Sequence, residues 1–186
     1  MRELVRNPRV MKKLQDEIRS CIKEDSVKEV DLEKFEYLKM VVKEVLRLHP
    51  PAPLLVPRET ISPFKLNGYN IDPKVHLYIN VWAIGRDPQS WTDPEKFFPE
   101  RFIASNVDYK GQNFELIPFG GGRRICPGMN MAILTVELAL ANLLLCFDWK
   151  LPNGTKEEDI DIGEDVSIII AKKSLLKCIP DLSNNF

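Results

Sequence analysis

The sequence predicts a mainly α protein with small β-sheets, and three features carry that prediction. Apolar residues recur with a helical period through residues 1–24 and again through 32–48. A long apolar stretch, 129–147, is interrupted only by Asn130, Thr135, Glu137 and Asn142. An Asn67-Gly68 pair sits between two short runs of strand formers. With 186 residues the chain is long enough for a core of its own, and 44% hydrophobic with 28% charged residues is a globular composition. The net charge is −1 with no block of one sign, so no broad basic surface for nucleic acid is expected. Four cysteines (Cys21, Cys126, Cys146, Cys178) form no C-x-x-C pair, and two histidines (His49, His76) give no zinc spacing. Reduced thiols in cytosolic surroundings are expected.

Residues 1–24 place Leu4, Val5, Met11, Leu14, Ile18 and Ile22 near one stripe, with Pro8 starting a second helix after Asn7. The opening residues are too charged for the apolar core of a secretion signal. Asp31 is the expected N-cap of a helix over 32–48, with Leu32, Phe35, Leu38, Val42, Val45 and Leu46 as its apolar face. His49-Pro50-Pro51-Ala52-Pro53 ends it, and the prolines predict a stiff extended strut. Residues 64–71 read as a hairpin with a type I′ turn, 75–80 as a strand and 81–86 as a short helix. From 89 to 118 prolines, aromatics and charges show no period, which predicts a long irregular segment. Residues 127–146 read as a buried helix and not as a membrane span. An acidic loop then precedes a strand pair, 166–171 and 175–179.

The segment "PFGGGRRICPG", 118–128, concentrates unusual chemistry. Cys126 stands just ahead of a helix, whose free N–H groups favour an anion, and Arg123 and Arg124 add positive charge. Gly120, Gly121 and Gly122 leave room for a flat ligand. Four readings fit. A phosphate loop would want a G-x-G-x-x-G or G-K-[ST] pattern, and neither can be drawn here. A nucleophilic or redox cysteine would want a nearby base, and neither histidine is close in sequence. A thiolate ligand to haem iron uses the glycines, the arginines and the helix end together. A glycine hinge before a helix uses the glycines alone, and the chemistry of the residues does not by itself choose between these last two.

Residues 119–128 fill the pattern F-x-x-G-x-R-x-C-x-G at every fixed position, and in this they resemble the cytochromes P450. Glu44-Val45-Leu46-Arg47 matches the E-x-x-R of that family's K helix, and Pro99-Glu100-Arg101-Phe102 matches its P-E-R-F segment. The three elements stand in the family's order. The wording of "RLHPPAPLLVPRE" and "PFGGGRRICPG" is similar to the plant A-type microsomal members, and the resemblance covers nearly the whole chain.

The resemblance implies a division of the chain into family segments. Residues 1–24 become the end of the I/J helix region, 31–48 the K helix and 51–80 a β region. Residues 89–118 become the meander, 119–128 the cysteine-ligand loop, 127–146 the L helix and 160–180 a C-terminal strand pair. It implies haem b as cofactor, with Cys126 as axial thiolate and sole protein ligand to iron. Phe119, Gly120, Gly122, Arg124, Gly128 and Arg58 would complete the haem site, with Arg124 and Arg58 on the propionates. Glu44, Arg47 and Arg101 would form a buried structural charge cluster. Leu54, Leu55, Val56, Val166 and Ser167 would line the substrate side. The implied reaction inserts one oxygen atom from O2 into a small apolar substrate, with electrons from NADPH–cytochrome P450 reductase, on the cytosolic face of the endoplasmic reticulum membrane. Membrane contact would run through an N-terminal anchor that this sequence does not contain.

The sequence also departs from the family. The A-G-x-D-T stretch of the oxygen-activating I helix does not occur in it. Met1 therefore reads as an internal methionine of a longer chain, and the alternative expectation is a non-catalytic truncated remnant that holds haem weakly or not at all.

Overall fold

The computed structural model describes residues 1–161, 163–165, 169 and 171–183. Among the described residues five α-helices dominate: α1 (Arg2–Arg6), α2 (Pro8–Cys21), α3 (Glu36–Leu48), α4 (Val81–Ile84) and α5 (Met129–Cys146). Among the described residues the strands form four separate antiparallel pairs. Strand β1 (Arg58–Glu59) pairs with β4 (His76–Leu77), and β2 (Phe64–Leu66) with β3 (Tyr69–Ile71). Strand β5 (Phe147–Lys150) pairs with β8 (Ile179–Leu182), and β6 (Glu164–Asp165) with β7 (Ala171–Lys172).

The core lies where α2, α3 and α5 meet. Leu14, Ile18, Phe35, Leu38, Val41, Ala141 and Leu144 are fully enclosed there. Each such large apolar side chain contributes about 1.5–3 kcal/mol relative to exposure. Polar groups pin the helix ends. Arg19 of α2 donates to the carbonyls of Leu144 and Phe147 at the C-terminus of α5, placing a cation at the negative end of the helix dipole. Gln15 donates to Phe147 O as well.

Several local expectations are corrected. Asp31 does not cap α3. It belongs to a 3-10 turn, Glu29–Lys34, where its carboxylate accepts from Lys28 N at 3.0 Å. The first turn of α3 is capped from a distance. The two carboxylate oxygens of Glu17, on α2, accept from Tyr37 N (2.8 Å) and Leu38 N (3.0 Å). The strut after α3 is not extended. Leu55 N donates to Ala52 O at 3.0 Å and Leu55 takes φ 52°, so the chain turns sharply there. Strand 75–80 shrinks to two residues, because Asn80 is used as the N-cap of α4 through Ala83 N → Oδ1, 2.9 Å.

The long apolar helix begins at Met129, not 127, and only one of its faces is buried. Ile133, Glu137, Ala141, Leu144 and Leu145 pack inward while Met131, Val136 and Leu143 are exposed. By length and composition alone this helix could cross a membrane. Of the expected strand 166–171, residues 166–168 and 170 lie outside the described residues. Strands β6 and β7 are two residues each, residues 173–178 form no strand, and β8 crosses back to β5. Trp149 and Phe147 alternate along β5 and meet edge-on at 5.8 Å, while Ser183 N closes the end of the ladder on Cys146 O. The hairpin at 64–71 has the expected turn, with Asn67 at φ 48° and Gly68 at φ 85°, both left-handed as a type I′ turn requires.

Candidate functional site: a glycine-rich cysteine loop backed by a buried charge cluster

Glu44 and Arg47 lie one turn apart on the inner face of α3, and both side chains are fully buried. Every N–H of the Arg47 guanidinium has an acceptor. Nε and Nη2 hold Glu44 Oε2 and Oε1 at 2.8 Å each. Nη1 reaches Gly85 O and Pro94 O at 2.6 Å each, and Nη2 also reaches Lys96 O at 3.2 Å. The planar fork is what lets one residue serve a carboxylate and three carbonyls together. Glu44 Oε1 further accepts from Arg101 Nε (3.0 Å) and Phe98 N (2.8 Å). Arg101 donates onward to the carbonyls of Thr92, Asp93 and Lys96. Trp91 closes the cluster, its ring 5.3 Å from the Arg47 guanidinium carbon and 5.9 Å from that of Arg101. Removing one member of such a buried set costs about 3–5 kcal/mol, because it strands the other charge.

The irregular segment that these carbonyls belong to carries the glycine-rich loop on its far end. Gly120 and Gly122 take φ 78° and 67°, which glycine adopts without a Cβ clash. A 3-10 turn over Gly122–Arg124 follows. The loop closes on itself through Cys126 N → Phe119 O at 3.0 Å, and Phe119 is anchored edge-on against Tyr109 at 6.1 Å. Cys126 is exposed and stands three residues before α5, not within its first turn. Gly128 occupies the N-cap, and a Cβ there would come within 3.9 Å of the Cys126 sulfur, so that side of the sulfur is free of side chains. At Gly122 nothing lies within 4 Å of the Cβ position.

The structure brings further expected residues to this loop. Arg58 Nη2 donates to Arg124 O at 3.1 Å, and both arginines are exposed at its rim. Leu55 approaches Gly120, its Cδ1 3.8 Å from where a Cβ would stand. Leu54 and Val56 are exposed beside it, at 43% and 63%. Val166 and Ser167 lie outside the described residues.

Three residues of consequence were not singled out by sequence. A Cβ on Gly85 would lie 2.4 Å from Arg47 O, so α4 can dock on α3 only with glycine there. A Cβ on Gly111, at φ 79°, would lie 2.9 Å from Ile125 Cδ1 and 3.2 Å from Gly120 O, so the meander presses its backbone against the cysteine loop. Trp91 is the third. Its burial follows from the charges it covers, which no local pattern reveals.

These elements define a chain of the cytochrome P450 family: the family model described as Cytochrome P450 matches residues 1–178, and the chain belongs to that family. Among curated proteins it is 59% identical over 185 residues to Cytochrome P450 71B24 of Arabidopsis thaliana, an alignment covering 98% of this chain and 37% of that protein. It is 58% identical over 181 residues to Cytochrome P450 71B9 of the same plant, covering 97% of this chain and 36% of the relative. The chain thus spans little more than a third of the length of the curated relatives it matches.

Proposed function

We propose that this chain carries the thiolate half of a haem site, and that the protein it belongs to is a haem-thiolate monooxygenase acting on a small apolar substrate. One observation carries the reading. Cys126 is exposed, its backbone N–H is tied to Phe119 O, and Gly128 puts no Cβ beside its sulfur. The residues present fit a flat anionic cofactor. Cys126 would hold the iron, Gly120 and Gly122 would admit the ring, and Arg58 and Arg124 would face the propionates. Leu54, Leu55 and Val56 offer an apolar surface for the substrate side.

Haem b, when bound through a thiolate, supplies the reductive activation of O2. The residues of this chain do the rest by placement. The Phe119 carbonyl holds the Cys126 amide and so sets where the sulfur stands. The Glu44–Arg47–Arg101 cluster keeps the meander, and with it Gly111, packed behind the loop. Electrons would come from NADPH through cytochrome P450 reductase, at the endoplasmic reticulum membrane. A second reading, a non-catalytic remnant that holds haem weakly or not at all, draws on the exposure of Leu54 and Val56 beside the loop.

Adding haem to the purified chain, reducing it and adding carbon monoxide separates the two. The expected result is a red-shifted Soret band of the kind thiolate ligation gives, lost in Cys126→Ala. Failure of the unaltered chain to retain haem overturns the first reading and leaves the second.

A further inference from the structure

A second charge network lies on the opposite side of the Pro99–Phe102 turn from Glu44. Its hub is Glu100, with a side chain only 11% exposed. Glu100 Oε1 accepts from Arg9 Nη1 at 2.6 Å, Tyr37 Oη at 2.9 Å and Lys13 Nζ at 3.1 Å, while Oε2 accepts from Arg9 Nη2 at 3.2 Å. The Arg9 pairing is bidentate. Lys13 also sits 4.0 Å above the Tyr37 ring. Tyr37 belongs to the first turn of α3, the turn that Glu17 caps from α2. One face of α2 therefore grips two things together: the start of α3 and the turn that bears Arg101.

We propose that Glu100 is a positioning residue, holding the Pro99–Phe102 turn where its neighbour Arg101 can reach Glu44. Glu100 and Arg101 are adjacent in a 3-10 turn; the first reaches α2 and Tyr37 at the start of α3, the second Glu44 on the inner face of α3. Three of the four hydrogen bonds of Arg101 end on Thr92, Asp93 and Lys96, carbonyls of the same irregular segment, and these would travel with it. The polar ties of the segment to the helices here are Arg101 Nε and Phe98 N to Glu44, Arg47 to the carbonyls of Gly85, Pro94 and Lys96, Lys43 to Val107 O, and Glu100 to α2 and Tyr37, with Phe97 packed into the core between them. With Glu100 neutral and its ion pairs gone, the turn loses its charged ties to α2. Its influence on the cysteine loop rests on the haem-thiolate reading. Its influence on Arg101 and Phe98 does not.

The test is amide hydrogen exchange on the whole chain, comparing Glu100→Gln with the unaltered protein. The Phe98 amide reports the juxtaposition directly, since its acceptor is Glu44 Oε1. Exchange at Phe98 is expected to rise about tenfold or more, with amides of Ala141–Leu145 in α5 changed much less. A uniform rise across both regions would reduce Glu100 to a general stabiliser and overturn the proposal, as would no change at Phe98. Arg9→Gln, which removes only the bidentate pair, should give a smaller rise at the same amide and serves if Glu100→Gln fails to fold. Adding Arg9→Gln to Glu100→Gln should add nothing at Phe98. With haem and carbon monoxide, Glu100→Gln should lower the thiolate-type fraction of the Soret absorption. If the unaltered chain holds no haem, the proposed function fails while the exchange comparison still decides the role of Glu100.

Discussion

Arg47→Lys keeps the charge, most of the length and the helix propensity, and it should still be severely destabilising. The guanidinium spends five N–H donors on five acceptors: Glu44 Oε1 and Oε2 and the carbonyls of Gly85, Pro94 and Lys96. An ammonium has three donors on one atom, so at least two of these five hydrogen bonds are lost from a side chain that is itself fully buried. Each such loss costs about 1–3 kcal/mol, giving roughly 2–6 kcal/mol in total. For a chain of this length about 3 kcal/mol corresponds to a fall of about 6–12 °C in Tm. Thermal or urea unfolding followed by far-ultraviolet circular dichroism reads it. A loss below about 1 kcal/mol would show that charge, not the geometry of the fork, is what the cluster needs, and the reasoning would fail.

Two further outcomes follow from the same geometry. Gly111→Ala places a Cβ against Ile125 Cδ1 and Gly120 O at a left-handed φ, costing about 1–2 kcal/mol of backbone strain and weakening haem retention more than it lowers Tm. A Gly111→Ala chain that takes up haem as the unaltered one does would show that the loop tolerates displacement. The hydrogen bond from Arg9, against the opposing effect of burial, lowers the Glu100 carboxyl from 4.5 to about 2. A depressed carboxyl stabilises fully above its unfolded value and loses that contribution as pH falls through the folded one. The difference in unfolding free energy between the unaltered chain and Glu100→Gln should therefore shrink between about pH 4.5 and about pH 2. A difference independent of pH over that window would contradict it.

Where local chemistry decides, the sequence was readable. Asn67-Gly68 dictates its turn because both residues tolerate positive φ, and the E-x-x-R pair on α3 meets because three residues on a helix share a face. Readings failed where the deciding partner was distant. Asp31 looked like a helix cap, yet the cap of α3 is a carboxylate 20 residues upstream. The C-terminal strand looked like half of a local hairpin, but β8 found its partner in β5, on the far side of an acidic loop. Leu55 is a residue type that gives no warning of a left-handed turn. Gly85 and Gly111 read as ordinary glycines until the backbones they touch are known.

The Arg47 fork has a consequence for the stretch from Gly85 to Lys96, which has almost no backbone ladder of its own. A side chain from another element stands in for that ladder, gathering carbonyls as a neighbouring strand would. To a protease such a stretch is closed despite its lack of regular structure, since threading it into a catalytic cleft means first withdrawing those carbonyls from the guanidinium. A missense change at position 47 would release the carbonyls of Gly85 and Pro94 and open the chain around them to digestion, while Arg101 still holds those of Thr92, Asp93 and Lys96.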